Sequence, residues 1–276
     1  MNPHAKSSIS PVFLLHRLQQ HWPLIVQMTK RDVVGRYKGS VMGLLWSFLN
    51  PLFMLIVYTF VFSVVFKARW TGSGEETRSE FAVVLFAGMI VHSLFAEIIN
   101  KAPTIILNNS SYVKRVVFPL EILPVITAGG ALFHTFISLI VLVGAIFVAG
   151  GALHLTVFLV PIVIFPLLVF TLGLAWFFSS LGVYLRDVGQ TVGIFTTIML
   201  FLSPVFFPVS ALPDYLQPYM IFNPLTFIIE QSRAVLILGK QPDWSGLGIY
   251  MIIALIVAWL GFAWFQNTRR GFADVL

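Results

Sequence analysis

The chain has 276 residues, no cysteine and a formal net charge of +6; 58% of it is hydrophobic and 10% charged. A soluble domain carries about 25% charged residues, so this composition, with a mean hydropathy of +0.91, excludes an ordinary aqueous fold. The missing thiols exclude disulfides, cysteine catalysis and cysteine-held metal.

Several uncharged apolar runs of about 20 residues predict an all-α, polytopic membrane protein. The ten-residue alternation of a transmembrane barrel is not visible. Basic residues gather at the ends of the apolar runs, where they meet lipid phosphates and set orientation; this placement argues against nucleic acid as a partner.

Residues 1–20 read as a partly ordered cytoplasmic tail. With Pro3, Pro11, Pro23 and six Lys/Arg in the first forty positions, no cleavable leader is expected. From Gln20 to Lys38 the pattern becomes a two-faced helix. Trp22, Ile25, Val26, Thr29, Val33 and Tyr37 share one stripe, and Gln20, Gln27, Arg31 and Lys38 lie opposite. Such a helix lies in the membrane interface, so 1–40 form a tail with an interface helix and 41–276 a six-helix transmembrane domain. Gly35, Gly39 and Gly43 recur every fourth residue, which fits either close helix packing or a hinge.

The first span, Val41–Phe66, holds no charge and is bent at Asn50-Pro51. A polar loop follows over 67–80, then a second span at Phe81–Ile99. Residues 100–119 are too polar to span and too apolar for a plain loop; Pro103 is placed to start a short surface helix ending near Lys114 and Arg115. The third span covers Leu120–Gly150, with a turn at Gly150-Gly151-Ala152. The fourth covers Leu155–Tyr184 and contains Pro161 and Pro166. After the turn Leu185–Gln190, the fifth runs over Val192–Phe207.

Five prolines between Pro208 and Ser245 forbid a continuous helix there. Two short re-entrant helices are expected, Ala211–Phe222 and Pro224–Leu238, the second opened by an Asn223 cap with proline in its first turn. Leu247–Phe265 is the sixth span. Lys and Arg number six in 1–40, three in 100–119, one in 185–190 and two in 266–276, against three in 67–80 and two in 208–245. The richer side is expected to be the cytoplasm, with both termini there.

Gly239-Lys240 lacks the remaining residues of a phosphate-binding loop, so the chain is not expected to hydrolyse ATP alone. Metal-spaced histidines and a nucleophile turn are also absent from the sequence. The titratable groups near spans are His92, Glu97, Glu121, His134 and Glu230. The three glutamates lie near span ends, where solvent or a Lys/Arg partner suffices; His134 lies deeper, where a hydrogen bond across helices is the expected use. Asp187 beside Arg186 reads as an ion pair or a cap. An ion-coupled transporter would want inverted repeats, which are not evident.

Lys30–Leu52 (KRDVVGRYKGSVMGLLWSFLNPL), with NSSYVKRVVFP at 109–119, LRDVGQ at 185–190 and FNPL at 222–225, resembles the membrane permease of polysaccharide-exporting ABC transporters. It looks most like O-antigen export permeases of the ABC type-2 superfamily, with capsule and teichoic-acid permeases as cousins. The resemblance implies a homodimer in the bacterial inner membrane, bound to a separate ATPase subunit that holds ATP and Mg; no cofactor is implied on this chain. Its cargo would be a glycan on a polyprenyl pyrophosphate lipid. A coupling helix at about 103–115 would dock on the ATPase through Thr104, Leu107, Asn108, Asn109, Tyr112 and Lys114. Arg31, Arg36 and Lys38 would meet the pyrophosphate, or else anionic membrane lipid. Trp46, Phe48, Phe53, Tyr58, Phe62, Phe206 and Phe207 offer aromatic faces for sugar rings in a channel, or lipid anchors. Tyr215, Tyr219, Asn223 and Glu230 would belong to the periplasmic gate helices.

Overall fold

Proline, glycine and charge divide the apolar chain into helices whose ends can be traced to single residues. The computed structural model describes residues 9–65, 78–113 and 118–276, and among them no strand occurs. The tail expected over 1–20 is helical from α1, Pro11–Gln20, and α2 follows at Trp22–Arg36; each has proline in its first turn, where the missing N–H is harmless. Ile25 and Val33 of the expected stripe are buried, whereas Trp22 and Val26 stay exposed. α2 lies close on α7, Leu123–Val148, because Gly129 and Gly130 leave room: a Cβ on Gly129 would stand 2.8 Å from the Thr29 side chain.

Gly39 and Gly43 have φ of +89° and +52°, and a Cβ on Gly35, Gly39 or Gly43 would meet nothing within 4 Å. Within the chain, the glycine repeat makes a turn rather than a packing seam. The first long helix, α3, therefore starts at Leu45 instead of Val41; it contains Pro51, runs to Tyr58 and continues as a π-helix through Thr59–Val65. Phe66 and most of the expected 67–80 loop lie outside the described residues.

α4, Arg78–Lys101, is the most buried of the long helices. It continues through a 3₁₀ turn at Ala102–Thr104 into α5, Ile105–Asn108, and α6, Ser110–Val113. The expected surface helix from Pro103 is thus a broken continuation of α4. Pro103 sits in the 3₁₀ turn, so close to α8 (Val160–Tyr184) that a Cβ on Gly182 would overlap its carbonyl. Lys114 and Arg115 lie outside the described residues. α7 ends as expected at the glycine pair: Gly150 has φ +78°, its N–H bonds the Phe147 carbonyl at 3.1 Å, and Gly151 N–H bonds Ile146 at 2.9 Å.

Among the described residues, five helical segments are long and apolar enough to span a membrane. The fifth expected span is shorter: α9, Val188–Leu202, has 15 residues, about 22 Å against the roughly 30 Å of hydrocarbon. His92 and Asn100 fasten it to α4, His92 through the Thr196 carbonyl at 3.0 Å and Asn100 through the Thr196 hydroxyl at 2.8 Å. Asp187 occupies the N-cap of α9 without a side-chain cap bond, and no Arg186 ion pair occurs among the described residues.

The first expected re-entrant helix, Ala211–Phe222, is replaced by 3₁₀ turns at Val209–Ala211 and Gln217–Phe222, since Pro213 and Pro218 interrupt any α-helix. The second forms as α10, Pro224–Leu236, with the Asn223 side chain accepting from Leu225 N–H at 2.9 Å. Arg233 pins α10 inward. It donates to the carbonyls of Val84 at 3.0 Å, Pro204 at 2.6 Å and Val205 at 3.0 Å.

α11, Trp244–Thr268, begins before the expected Leu247 because Asp243 caps it, and it crosses α8 backbone to backbone at Gly173 and Gly261. Buried Glu121 accepts from Arg17 of α1 at 3.1 Å and from Arg269, beyond α11, at 3.0 Å. This is the Lys/Arg pairing expected of a glutamate at a span end. It also sets Arg17 and Arg269 on one face of the molecule.

Candidate functional site: a charged cavity under the interface helix

A cavity of about 550 Å³ opens between α2, the α4–α6 segment and the start of α7. Helical periodicity explains one wall: Met28, Arg31, Asp32, Gly35 and Arg36 recur along a single side of α2. Lys101, Thr104, Ile105, Asn108, Asn109 and Tyr112 form the opposite wall, and Leu123, Ile126 and Thr127 of α7 its floor. The 3₁₀ turn at Pro103 matters here, because it keeps α4 and α5 in one line and turns Thr104 and Asn108 outward, both exposed. Asn109 stabilises that segment by donating to the Ile105 carbonyl at 2.8 Å, and Tyr112 stacks on Phe118 with centroids 4.3 Å apart.

Behind the cavity lies a charged network that ties three helices. Glu97 Oε1 receives Arg36 Nη2 at 2.5 Å and Lys101 Nζ at 3.1 Å, and both carboxylate oxygens stand 3.1 Å from His134 Nδ1. A carboxylate only accepts, so His134 donates from Nδ1 to Glu97. The Tyr37 hydroxyl lies 3.2 Å from Nε2, and Arg36 Nη1 also stands 3.1 Å from Nδ1. The expected hydrogen bond of His134 across helices is therefore present, with Glu97 as its partner. Lys101 Nζ also lies 3.8 Å from Asp32, which returns the network to the cavity wall.

The structure gathers residues that the sequence assigned to two separate roles. Arg31 and Arg36, expected to meet a pyrophosphate, line the same space as Thr104, Asn108, Asn109 and Tyr112, expected on the coupling segment. Lys38 is exposed in the turn after α2, and neither it nor half-buried Leu107 lines the cavity. Lys114 lies outside the described residues. Lys101 and Asp32 were missed in the sequence; Lys101 lies four residues after Glu97, and helical spacing alone makes that pair neighbours.

The aromatic candidates do not form one stripe. At about 100° per residue, Phe48 and Phe53 of α3 are roughly 140° apart. Phe48 and Phe53 are exposed, Trp46 and Tyr58 half-buried. Phe62 does meet a distant partner: it stacks on Phe206 with centroids 5.2 Å apart, while half-buried Phe207 follows in the chain. Phe206 also lies 5.7 Å from Phe201. Of the four gate candidates, Tyr215 and Tyr219 are exposed on turns and Glu230 is exposed on α10. Asn223 caps α10 and donates to the Leu202 carbonyl at 3.1 Å, joining α9 to α10.

The chain is 25% identical over 265 residues to an O-antigen export system permease protein of Myxococcus xanthus, covering 95% of this chain and 98% of that one. A Klebsiella pneumoniae protein of the same description is 26% identical over 92% of this chain and 95% of its own. The polysialic acid transport protein KpsM of Escherichia coli is 23% identical, over 87% and 91% respectively. A family model described as ABC-2 type transporter matches residues 23–237, and the chain belongs to that family.

Proposed function

We propose that this chain is the transmembrane subunit of an ATP-driven exporter of lipid-linked polysaccharide in the bacterial inner membrane. Its cargo is an O-antigen on a polyprenyl pyrophosphate carrier, and it works as a homodimer with a separate ATPase subunit. The observation that carries this reading is the near full-length similarity to permeases named for O-antigen export.

Topology supports the same reading. That Arg17 and Arg269 share Glu121 supports entry and exit of the chain on one face, and with it an even number of crossings. α9 supplies the sixth: it begins beyond the turn at Leu185, and three residues past its end the Val205 carbonyl meets Arg233 at the level of Val84, near the far end of α4. The face with more Lys and Arg is the cytoplasmic one. There the segment Thr104–Lys114 docks on the ATPase and the cavity under α2 receives the carrier's pyrophosphate. On the other face, the turns bearing Tyr215 and Tyr219, with Asn223 and Glu230, form the gate, and the aromatics of α3 with Phe206 and Phe207 face the sugar.

The test is reconstitution. The tagged chain should co-purify with an ATPase subunit, and vesicles holding both should move a polyprenyl-pyrophosphate-linked glycan only with ATP. Movement by the chain alone would overturn the proposal. A capsule-exporting role is the second reading, favoured by the similarity to a Neisseria meningitidis protein described as a capsule polysaccharide export inner-membrane protein; the polymer that accumulates inside cells after deletion separates the two.

A further inference from the structure

Arg36 and Lys101 face two ways. Toward the cavity they line its wall beside Arg31 and Asn108. Away from it both reach the same oxygen of Glu97, at 2.5 and 3.1 Å, and Glu97 and His134 are not among the lining residues. One carboxylate thus holds two cations that an anion in the cavity can also reach. Asp32 adds only a long contact of 3.8 Å to Lys101.

Resting on the pyrophosphate reading above, we infer that Glu97 is a resident competitor for the anion site. A lipid diphosphate entering the cavity draws Arg36 and Lys101 away from Glu97, and that exchange loosens α2 from α4 and α7. A diphosphate brings more negative charge than one carboxylate and more oxygens for a guanidinium fork, so the exchange runs forward once the headgroup arrives. His134 makes it reversible: its Nδ1–H stays on Glu97 and solvates the carboxylate after the cations leave. Arg36 is the last residue of α2, so its movement is transmitted directly to that helix. Lys38, outside the cavity, takes no part.

The experiment uses the full chain in phosphatidylcholine nanodiscs, titrated with farnesyl diphosphate. Glu97→Gln frees the cations and should lower Kd at least about five-fold. His134→Phe should raise Kd about three-fold, because a carboxylate deprived of its N–H donor grips the cations harder. Amide exchange over residues 22–36 should quicken when farnesyl diphosphate is added. If neither variant changes Kd while Arg31→Ala and Lys101→Met weaken binding, the competition is refuted and the pyrophosphate site stands. If Arg31→Ala and Lys101→Met also leave Kd unchanged, the site itself is refuted. Inorganic pyrophosphate binding as tightly as farnesyl diphosphate would refute a lipid as the source of the anion. Should Glu97→Gln fail to purify, the opposite shift expected of His134→Phe decides alone.

Discussion

Replacing Arg233 by methionine removes a guanidinium that is 6% exposed and bonded to three main-chain carbonyls, Val84, Pro204 and Val205. Pro204 and Val205 follow the end of α9, where the helix no longer occupies their carbonyls. Losing the donor to each of those two costs about 1–3 kcal/mol. Against this, the variant no longer buries a charge, a saving of several kcal/mol in principle but reduced here because all three bonds compensate the ion. The net expectation is a loss of about 2–4 kcal/mol, with Arg233→Lys recovering less than half, since an ammonium lacks the planar fork that reaches three acceptors. Denaturant unfolding in nanodiscs gives the magnitude, and limited proteolysis between residues 203 and 223 gives the location. If Arg233→Met unfolds within about 0.5 kcal/mol of the parent, or Arg233→Lys is indistinguishable from it, the anchoring argument fails.

Gly173→Val should destabilise by more than about 2 kcal/mol, because even a Cβ there would lie 2.6 Å from the Val257 backbone. Gly144→Ala, with nothing within 4 Å of its Cβ, serves as the neutral control in the same thermal scan. Glu121→Gln should weaken the hold on Arg17 and Arg269 by about 3 kcal/mol and expose α1 to protease; unchanged cleavage would refute the clamp. The Gly246 N–H, with the Ser245 hydroxyl, holds the Asp243 carboxyl below its usual range. Its contribution is therefore complete above the ordinary value of about 4 and lost as pH falls through the lower folded value. Asp243→Asn should flatten that part of the stability–pH curve, and an unchanged curve would refute it. Leu107→Pro should leave the spans folded but separate ATP turnover from transport in the reconstituted exporter; if the two stay linked, the coupling assignment is wrong.

Local chemistry made much of the fold legible. Asn223-Pro224 opened α10, Gly150-Gly151 closed α7, and the charge-free runs marked the long helices. Expectations failed where a segment's conformation depended on what lay beside it, or where prolines inside it were given too little weight. Pro103 could start a free helix or continue α4, and the space left by Gly182 decided for continuation. Ala211–Phe222 had the length of a helix, but Pro213 and Pro218 allowed only turns. The candidate site was half legible: Arg31 and Arg36 stood out by charge, whereas their meeting with Asn108 and Tyr112 depends on helices about seventy positions apart.

Membrane insertion depends on uninterrupted apolar length and flanking charge, both one-dimensional, so the amino-acid order alone determined that this is a polytopic helical protein, and it bounded most of its helices. Pairing a buried charge is a three-dimensional problem. That Arg36 meets Glu97, that Arg17 and Arg269 meet Glu121, and which carbonyls receive Arg233 followed only from the packing, because an ion in a low-dielectric interior is held by whatever neighbour the fold brings within about 3 Å.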